Sequence, residues 1–282
     1  MYPKNSRQLG LAPTLSSNHT IGVVIPTFNS AKTIWRALES VRQQTLSPEQ
    51  VVVVDNASTD DTCAEVQRFF LSFPETRGVL LRLESNFGPG HARNIGWDQC
   101  QTSLVAFLDS DDSWHPKKLE LQSEMAHRHP EVNLFGHRYL VLDGTNPPER
   151  ILSVDQCQIH RYSLRHFLVR NRLSTPTVML RTKIPQRFPV DIWFAEDFSL
   201  WTRIVAQSEP ALFTDAVLAY LYKPTFGSSG LSARLSEMHR GELDVLTTLR
   251  KSKHIGIVAY VFAFLWMRVK YIRRRLQQVV RD

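Results

Sequence analysis

Three observations in the sequence predict an α/β fold built on a mostly parallel mixed sheet flanked by helices. Four short apolar runs, Ile21–Ile25, Val51–Val54, Gly78–Leu83 and Leu104–Leu108, lack the alternation of a half-exposed strand and read as strands buried on both faces. Between them lie polar turns and segments of helical period, which is the strand–helix–strand rhythm of a parallel sheet. The fourth run ends in Asp109-Ser110-Asp111-Asp112, at the carboxyl end of a strand, where open α/β sheets collect ligands.

Three carboxylates within four positions repel one another unless a cation or cationic partners neutralise them. Hard divalent ions suit such oxygens, and Mg²⁺ or Mn²⁺ is commonly held by one or two carboxylates together with substrate phosphates. The competing reading is a solvated Asp-rich turn leading to a helix capped near Ser113, with Pro116 close to its first position.

Composition bounds the rest. A chain of 282 residues, 43% hydrophobic, suffices for one large core, or for a catalytic domain with an appendage. Its three cysteines, Cys63, Cys100 and Cys157, are odd in number and form no C-x-x-C pair, which argues against a disulfide framework or a zinc site and for a reducing cytoplasm. Residues 1–19 carry no apolar core of a secretory signal and read as a loose polar lead-in. The glycosylation sequons at Asn18 and Asn56 are then chance matches.

In order, the first strand stops at Pro26-Thr27-Phe28-Asn29, and a helix is predicted from Ser30, as cap, to Gln44, with Ile34, Leu38 and Val41 on one face. The second strand opens into Asp55-Asn56-Ala57-Ser58-Thr59-Asp60 and a helix to Ser72. The third gives way to Asn86-Phe87-Gly88-Pro89-Gly90-His91-Ala92-Arg93-Asn94-Ile95-Gly96. The start of a dinucleotide fingerprint is present there, but Arg93 occupies the third glycine's place and no suitable acid follows about twenty residues on. A glycine turn opening a helix can still receive phosphate on its free N–H groups, with Arg93 adding charge.

These four motifs, in this order and spacing, resemble glycosyltransferase family 2. The resemblance covers roughly residues 20–230. It implies a GT-A fold and inverting transfer of a sugar from a nucleotide-diphosphate donor. Carried over residue by residue, it places Pro26, Thr27 and Asn29 at the base and ribose, with Asp55 accepting from the base. Asp60, Asn86 and Arg93 would flank the nucleotide and donor sugar. Asp109 and Asp111 match the D-x-D motif, with Asp111 the direct ligand of Mg²⁺ or Mn²⁺ and Asp112 a weaker candidate. Where family members often show two acids, this chain has Asp55-Asn56. A cation on the diphosphate stabilises the charge that grows on the leaving group.

Beyond Trp114 a helix is predicted over 116–129, then strands over 132–135 and 137–142, a turn over 143–148 and a strand over 174–181. This half should hold the acceptor. Glu196-Asp197 opens a further helix, where an acid is favoured by the helix dipole, and a carboxylate there can take the acceptor's proton. The resemblance assigns Asp197 as general base, with Glu196 in reserve. After a strand over 216–221, Lys223 precedes a Gly- and Ser-rich loop suited to closing on substrate. Lys223 is the candidate diphosphate contact, although family members usually carry Arg or His nearby. The histidines show no metal-binding spacing, and Trp114 and Trp193 are candidates to stack on a sugar ring.

Residues 240–282 hold ten basic and three acidic side chains, a surplus equal to the whole chain's +7. The basicity is therefore a property of the tail. Ile255–Met267 is apolar on every side and, as a helix of about 20 Å, too short to span a bilayer. It is expected either to pack on the domain or to lie in a membrane interface among anionic headgroups.

The expected organisation is a lead-in over 1–19, a GT-A domain over 20–232 (nucleotide half 20–115, acceptor half 116–232) and a C-terminal helical, membrane-associating extension over 233–282. The expected partners are a nucleotide-diphosphate sugar, a saccharide acceptor, lipid-linked in polysaccharide biosynthesis, and an anionic membrane surface met from the cytoplasmic side. Nucleic acid is excluded, since no aromatic-interleaved basic groove accompanies the charge. Two rival readings are a nucleotidyltransferase, which normally needs a basic Gly-rich loop that residues 26–30 lack, and a non-catalytic surface adaptor.

Overall fold

The computed structural model describes residues 19–142, 157–222 and 234–279. Its sheet begins with four parallel strands, β1 (Ile21–Thr27), β2 (Gln50–Asp55), β3 (Gly78–Arg82) and β4 (Leu104–Phe107), in the spatial order β3-β2-β1-β4. Beyond β4 the sheet becomes mixed. Next to it lies β8 (Met179–Arg181), antiparallel, then β6 (Leu134–Val141) and β9 (Ala211–Leu221), with β6 and β9 parallel to each other. Two short strands, β5 (Ser113–Trp114) and β7 (Ile159–Tyr162), pair antiparallel with β9.

Period-two side-chain alternation divides the apolar runs between two cores. Val23, Ile25, Val51, Val53, Leu104 and Ala106 face α1 (Ile34–Arg42), α2 (Thr62–Ser72) and α4 (Lys118–Arg128). Val24, Val52, Val54, Val105 and Phe107 face α3 (Pro89–Gln99), α5 (Leu164–Val169), α6 (Glu196–Gln207), α7 (Leu235–Lys251) and α8 (Ile257–Val279). Val51 to Val54 are completely buried, each worth about 1.5–3 kcal/mol relative to exposure. Burial on both faces is why these runs show no alternation in the sequence.

Several local expectations are corrected. The first helix starts at Ile34, and the Ser30 hydroxyl, instead of capping it, bonds to the Phe28 carbonyl and to Ser110 Oγ. Ser113 lies in β5 and α4 begins only at Lys118, so no helix is capped there. The two strands expected over 132–142 are one, β6, with irregular register between His137 and Tyr139. Residues 175–177 form a 3₁₀ turn ahead of β8, and the strand expected from 216 extends back to Ala211. The turn over 143–148 and Lys223 lie outside the described residues.

The C-terminal helices join the second core. Val245, Leu246 and Leu249 of α7, and Ala263 and Met267 of α8, are buried in it. At Gly241 of α7 a Cβ would stand 2.4 Å from the Phe194 carbonyl oxygen, so only glycine lets this helix touch the backbone that enters α6. Among the described residues no helix is long and apolar enough to cross a membrane.

Candidate active site

β1, β2 and β4 end side by side, with Thr27 in register with Asp55. Pro26 is a buried residue of β1, in register with Val54. Asp55 is completely buried; its Oδ2 accepts the Ser58 N–H at 3.2 Å and lies 3.6 Å from Arg82, whereas Oδ1 has no protein partner. The Thr27 hydroxyl beside it is also buried and unpartnered. An unsatisfied buried polar group costs about 1–3 kcal/mol, so this floor has unused capacity to accept a hydrogen bond. Burial, reinforced by a hydrogen bond to Asp55, pushes the neighbouring Cys63 thiol up to about 11.

The turns around this floor clasp one another. Asn29, at φ 50°, accepts the Thr59 N–H at 2.8 Å, and its own N–H donates to Ser58 Oγ at 2.9 Å. Asp60 accepts from the Ala31 and Thr62 N–H groups at 3.1 and 3.0 Å. Burial works against its charge, yet the bonds from Thr62 and Ala31 hold its carboxyl below the usual range. Asn29 and Asp60 therefore shape the turns through backbone contacts. Asn56, to which the sequence assigns no role, donates to Asn86 Oδ1 at 2.7 Å and accepts the Phe87 N–H at 3.1 Å. Asn86 in turn accepts the Gly88 N–H at 3.0 Å. Gly88 adopts φ 87°, and a Cβ there would meet the Trp193 ring at 3.3 Å.

Arg93, on α3, joins the two halves of the site. The residue is 5% exposed, and its guanidinium donates to Asp109 Oδ1 at 2.7 Å and to Glu196 Oε1 at 2.9 Å and lies 5.4 Å over the Phe188 ring. Burial alone would lower its pKa; the charges of Asp109 and Glu196 outweigh it and raise the value. Arg93 thereby bridges the D-x-D motif to α6. Asn94 beside it exchanges two hydrogen bonds with the Phe188 backbone, at 2.8 and 2.9 Å.

Asp197 follows Glu196 in the first turn of α6. The preceding Ala195 takes φ 60°, and its carbonyl accepts the Ser199 N–H at 2.9 Å. Asp197 Oδ1 accepts its neighbour Phe198's N–H at 2.6 Å, and Oδ2 accepts from Asn171 Nδ2 at 3.4 Å. Burial first, then the Glu196 charge, pushes the Asp197 carboxyl up to about 7, against the opposing effects of Phe198, Arg93 and Asn171. A carboxylate tuned near neutrality is matched to proton transfer. Asn171 carries no sequence signal that could have revealed it.

Asp109 keeps Oδ2 clear of the Arg93 bond and Asp111 is partly exposed. Asp112 is buried, and its carboxyl is raised by burial and by the neighbouring Asp109 and Asp111 charges. It accepts the Tyr222 N–H at 3.4 Å, which ties the D-x-D turn to the end of β9. Arg36 reaches the same turn, donating to the Asp111 carbonyl while stacked 3.5 Å over the Tyr222 ring. Among the described residues no cluster of three or more His, Cys, Asp or Glu is disposed to hold a metal by itself. Two neighbouring carboxylates fit a hard cation that takes its remaining ligands from substrate phosphates and water. Trp114 is 3% exposed, donates to the Pro176 carbonyl and stacks with Lys118, so it is core and cannot meet a sugar. Trp193 is 43% exposed.

A mixed sheet with paired acids at its fourth strand and a Glu-Asp helix facing them defines a GT-A glycosyltransferase. Residues 22–185 match Glycosyl transferase family 2, and the chain belongs to that family. It is 30% identical over 195 residues to the amylovoran biosynthesis glycosyltransferase AmsE of Erwinia amylovora, covering 67% of this chain and 70% of the relative. It is 24% identical over 230 residues to the UDP-Glc:alpha-D-GlcNAc-diphosphoundecaprenol beta-1,3-glucosyltransferase WfgD of Escherichia coli, covering 81% and 86%. Among solved structures, S. aureus TarS 1-349 in complex with UDP-GlcNAc superposes with TM-score 0.68 at 21% identity, over 92% of this chain and 73% of that one. The mannosyltransferase PcManGT of Pyrobaculum calidifontis, solved with GDP-Man and Mn²⁺, superposes with TM-score 0.60 at 16% identity, over 95% and 89%.

Proposed function

We propose that the protein transfers a sugar, with inversion, from a nucleotide diphosphate to a hydroxyl of a lipid-linked saccharide in bacterial polysaccharide assembly. The observation that carries this reading is the Asp109–Arg93–Glu196 bridge, which sets Asp197, its carboxyl raised to about 7, opposite the D-x-D turn. In this reading the base and ribose lie on Pro26, Thr27 and Asn29, with the unpartnered Asp55 Oδ1 accepting from the base. Asn86 and Asp60 hold the turns around the nucleotide, and Lys223 meets the diphosphate. Asp111 and Asp109 would hold Mg²⁺ or Mn²⁺, which supplies positive charge to the departing diphosphate. Asp197 receives the acceptor hydroxyl's proton as that oxygen attacks the anomeric carbon from the face opposite the nucleotide. Glu196, pinned by Arg93, stays in place as a fixed negative neighbour that raises the basicity of Asp197.

Lipid-linked and polysaccharide substrates are named for the relatives WfgD and AmsE, and α8 supports a lipid surface here. One of its faces packs on the domain. The other exposes Val258, Phe262, Leu265, Val269, Ile272 and Leu276, whose 4-3-4-3-4 spacing keeps them on one stripe. Exposed Arg268, Arg273 and Arg275 flank the stripe, and no acid occurs in the helix. A second copy of so basic a helix would be repelled, whereas anionic headgroups are attracted. In this reading the protein works at the cytoplasmic face of the membrane. The test is a panel of UDP- and GDP-sugars with Mn²⁺ or Mg²⁺: one of them should be hydrolysed slowly to the nucleoside diphosphate, and no turnover of any with either ion would reject the reading.

A further inference from the structure

The border between the packed and exposed faces of α8, where Trp266 is 40% exposed, reaches the candidate base by a short route. Trp266 Nε1 donates to the Val169 carbonyl at 2.8 Å, and Lys270 Nζ donates to the same oxygen at 3.2 Å. Val169 is the last residue of α5, so its carbonyl has no partner within that helix, and the two donors from α8 supply one. Two residues on, Asn171 places its Nδ2 on Asp197 Oδ2 at 3.4 Å, with its own Oδ1 held by the Leu173 N–H at 3.2 Å. Two side chains of α8 thus fix the segment from which the Asn171 side chain bonds to Asp197.

The helix that does this is itself anchored. Ala263 and Met267 are buried beneath it, Arg274 pairs with Glu242 of α7 at 3.2 Å, and the Tyr271 ring stacks on His239 with centroids 4.4 Å apart. Two hydrogen bonds to a single carbonyl are more than a half-exposed helix end needs, since water would satisfy that oxygen equally well. What water cannot do is hold the oxygen in one place.

We propose that Trp266 and Lys270 are positioning residues for Asp197, acting through the Val169 carbonyl and Asn171. The proposal rests on Asp197 being the general base. The element that carries the exposed apolar stripe is then also the element that aligns the base, so docking and chemistry share one rigid helix. A catalytic group shifted by about 1 Å can lose up to about 100-fold in rate, and a slackened Asn171 produces a shift of that kind while leaving the donor floor on β1 and β2 untouched.

The experiment uses the full chain and whichever nucleotide sugar the wild type hydrolyses fastest in the UDP- and GDP-sugar panel with Mn²⁺. Trp266→Phe/Lys270→Met keeps the bulk of both side chains and removes both donors. Its kcat is expected to fall about 10-fold or more with KM for the sugar nucleotide and calorimetric binding of the nucleoside diphosphate unchanged. Trp266→Phe/Lys270→Arg, which returns one donor, should recover most of the loss. An unchanged kcat, or losses of kcat and nucleotide binding in parallel, overturns the proposal, as does a failure of the arginine variant to recover in a chain that melts like the wild type. A wild type that hydrolyses none of the sugars brings down the functional reading, and this inference with it.

Discussion

Replacing Asp197 with Asn should make the protein more stable and nearly inactive. The carboxyl is raised from an ordinary 3.8 to about 7 in the folded chain, first by burial and then by Glu196. In the unfolded chain it titrates near its ordinary value. Below about pH 4 both states hold the proton and the group is neutral to folding. Between about 4 and 7 the unfolded state loses the proton while the native state keeps it, so stability falls as pH rises. Above about 7 both are ionised and the full cost is present. A rise from 3.8 to about 7 corresponds to on the order of 4 kcal/mol, and the partial exposure of Asp197, with its screening by solvent, reduces that to about 2–4 kcal/mol. Asn has nearly the same shape, still accepts from the Phe198 N–H, and carries no charge. Urea melts of both proteins at pH 5 and pH 8 measure the effect: Asp197→Asn should gain about 1–1.5 kcal/mol at pH 5 and about 2–4 kcal/mol at pH 8, while sugar transfer drops about 10²–10⁴-fold. Equal stabilities at pH 8, or a gain of the same size at both pH values, would refute the reasoning. An active Asp197→Asn beside a dead Glu196→Gln would exchange the two roles.

Asp111→Asn should weaken nucleoside diphosphate binding measured by calorimetry with Mn²⁺ and leave metal-free binding unchanged; equal losses in both conditions would make the residue structural. Arg93→Gln strands the Asp109 and Glu196 carboxylates, so urea melts should show about 3–5 kcal/mol of destabilisation at neutral pH, and Arg93→Lys should restore little because one ammonium cannot span both acids as the guanidinium fork does. Phe262→Ser/Leu265→Ser on the outer face of α8 should reduce sedimentation with anionic vesicles at low salt while the melting temperature stays near the wild type, since both side chains are exposed. These surface changes are a sounder test than deleting α8, which would also strip Ala263 and Met267 from the core.

The parallel half of the fold is legible in the sequence because burial on both faces writes itself as uninterrupted apolar runs. Val51 to Val54 could be little else, and each run ends where its turn residues begin. The mixed half is less legible for the opposite reason. β5 is two residues long, β8 three, and β6 loses its register near His137, so no period is sustained long enough to be read. Helix starts were misplaced where a polar side chain had a better use: Ser30 bonds to Ser110 across the site rather than capping α1. The tail's composition marked it as basic and apolar, but whether a helix packs or stays exposed is decided face by face. Val258 and Phe262 point outward while Ala263 and Met267 point in, and a thirteen-residue apolar block shows no such division.

Candidate site residues divide along the same line. The paired acids Asp109 and Asp111 are visible at the end of a strand, and the resemblance to the family is what singles out Glu196 and Asp197 at the start of a helix. Residues whose use depends on a distant partner carry no such mark. Asn56 shows why. In the usual two-acid pattern its place holds a carboxylate, which can only accept, whereas here the carboxamide accepts the Phe87 N–H with its oxygen and donates to Asn86 Oδ1 with its nitrogen. Asn86 then takes the Gly88 N–H, and Gly88 lies under Trp193, three residues before Glu196. A carboxylate at position 56 would face the Asn86 oxygen with no proton to offer and would set a second negative charge beside the buried Asp55. The amide removes that repulsion and ties the end of β2 to the turn that opens α3. The departure from the two-acid pattern is therefore compensated across thirty residues of sequence, in a contact that only the folded chain makes.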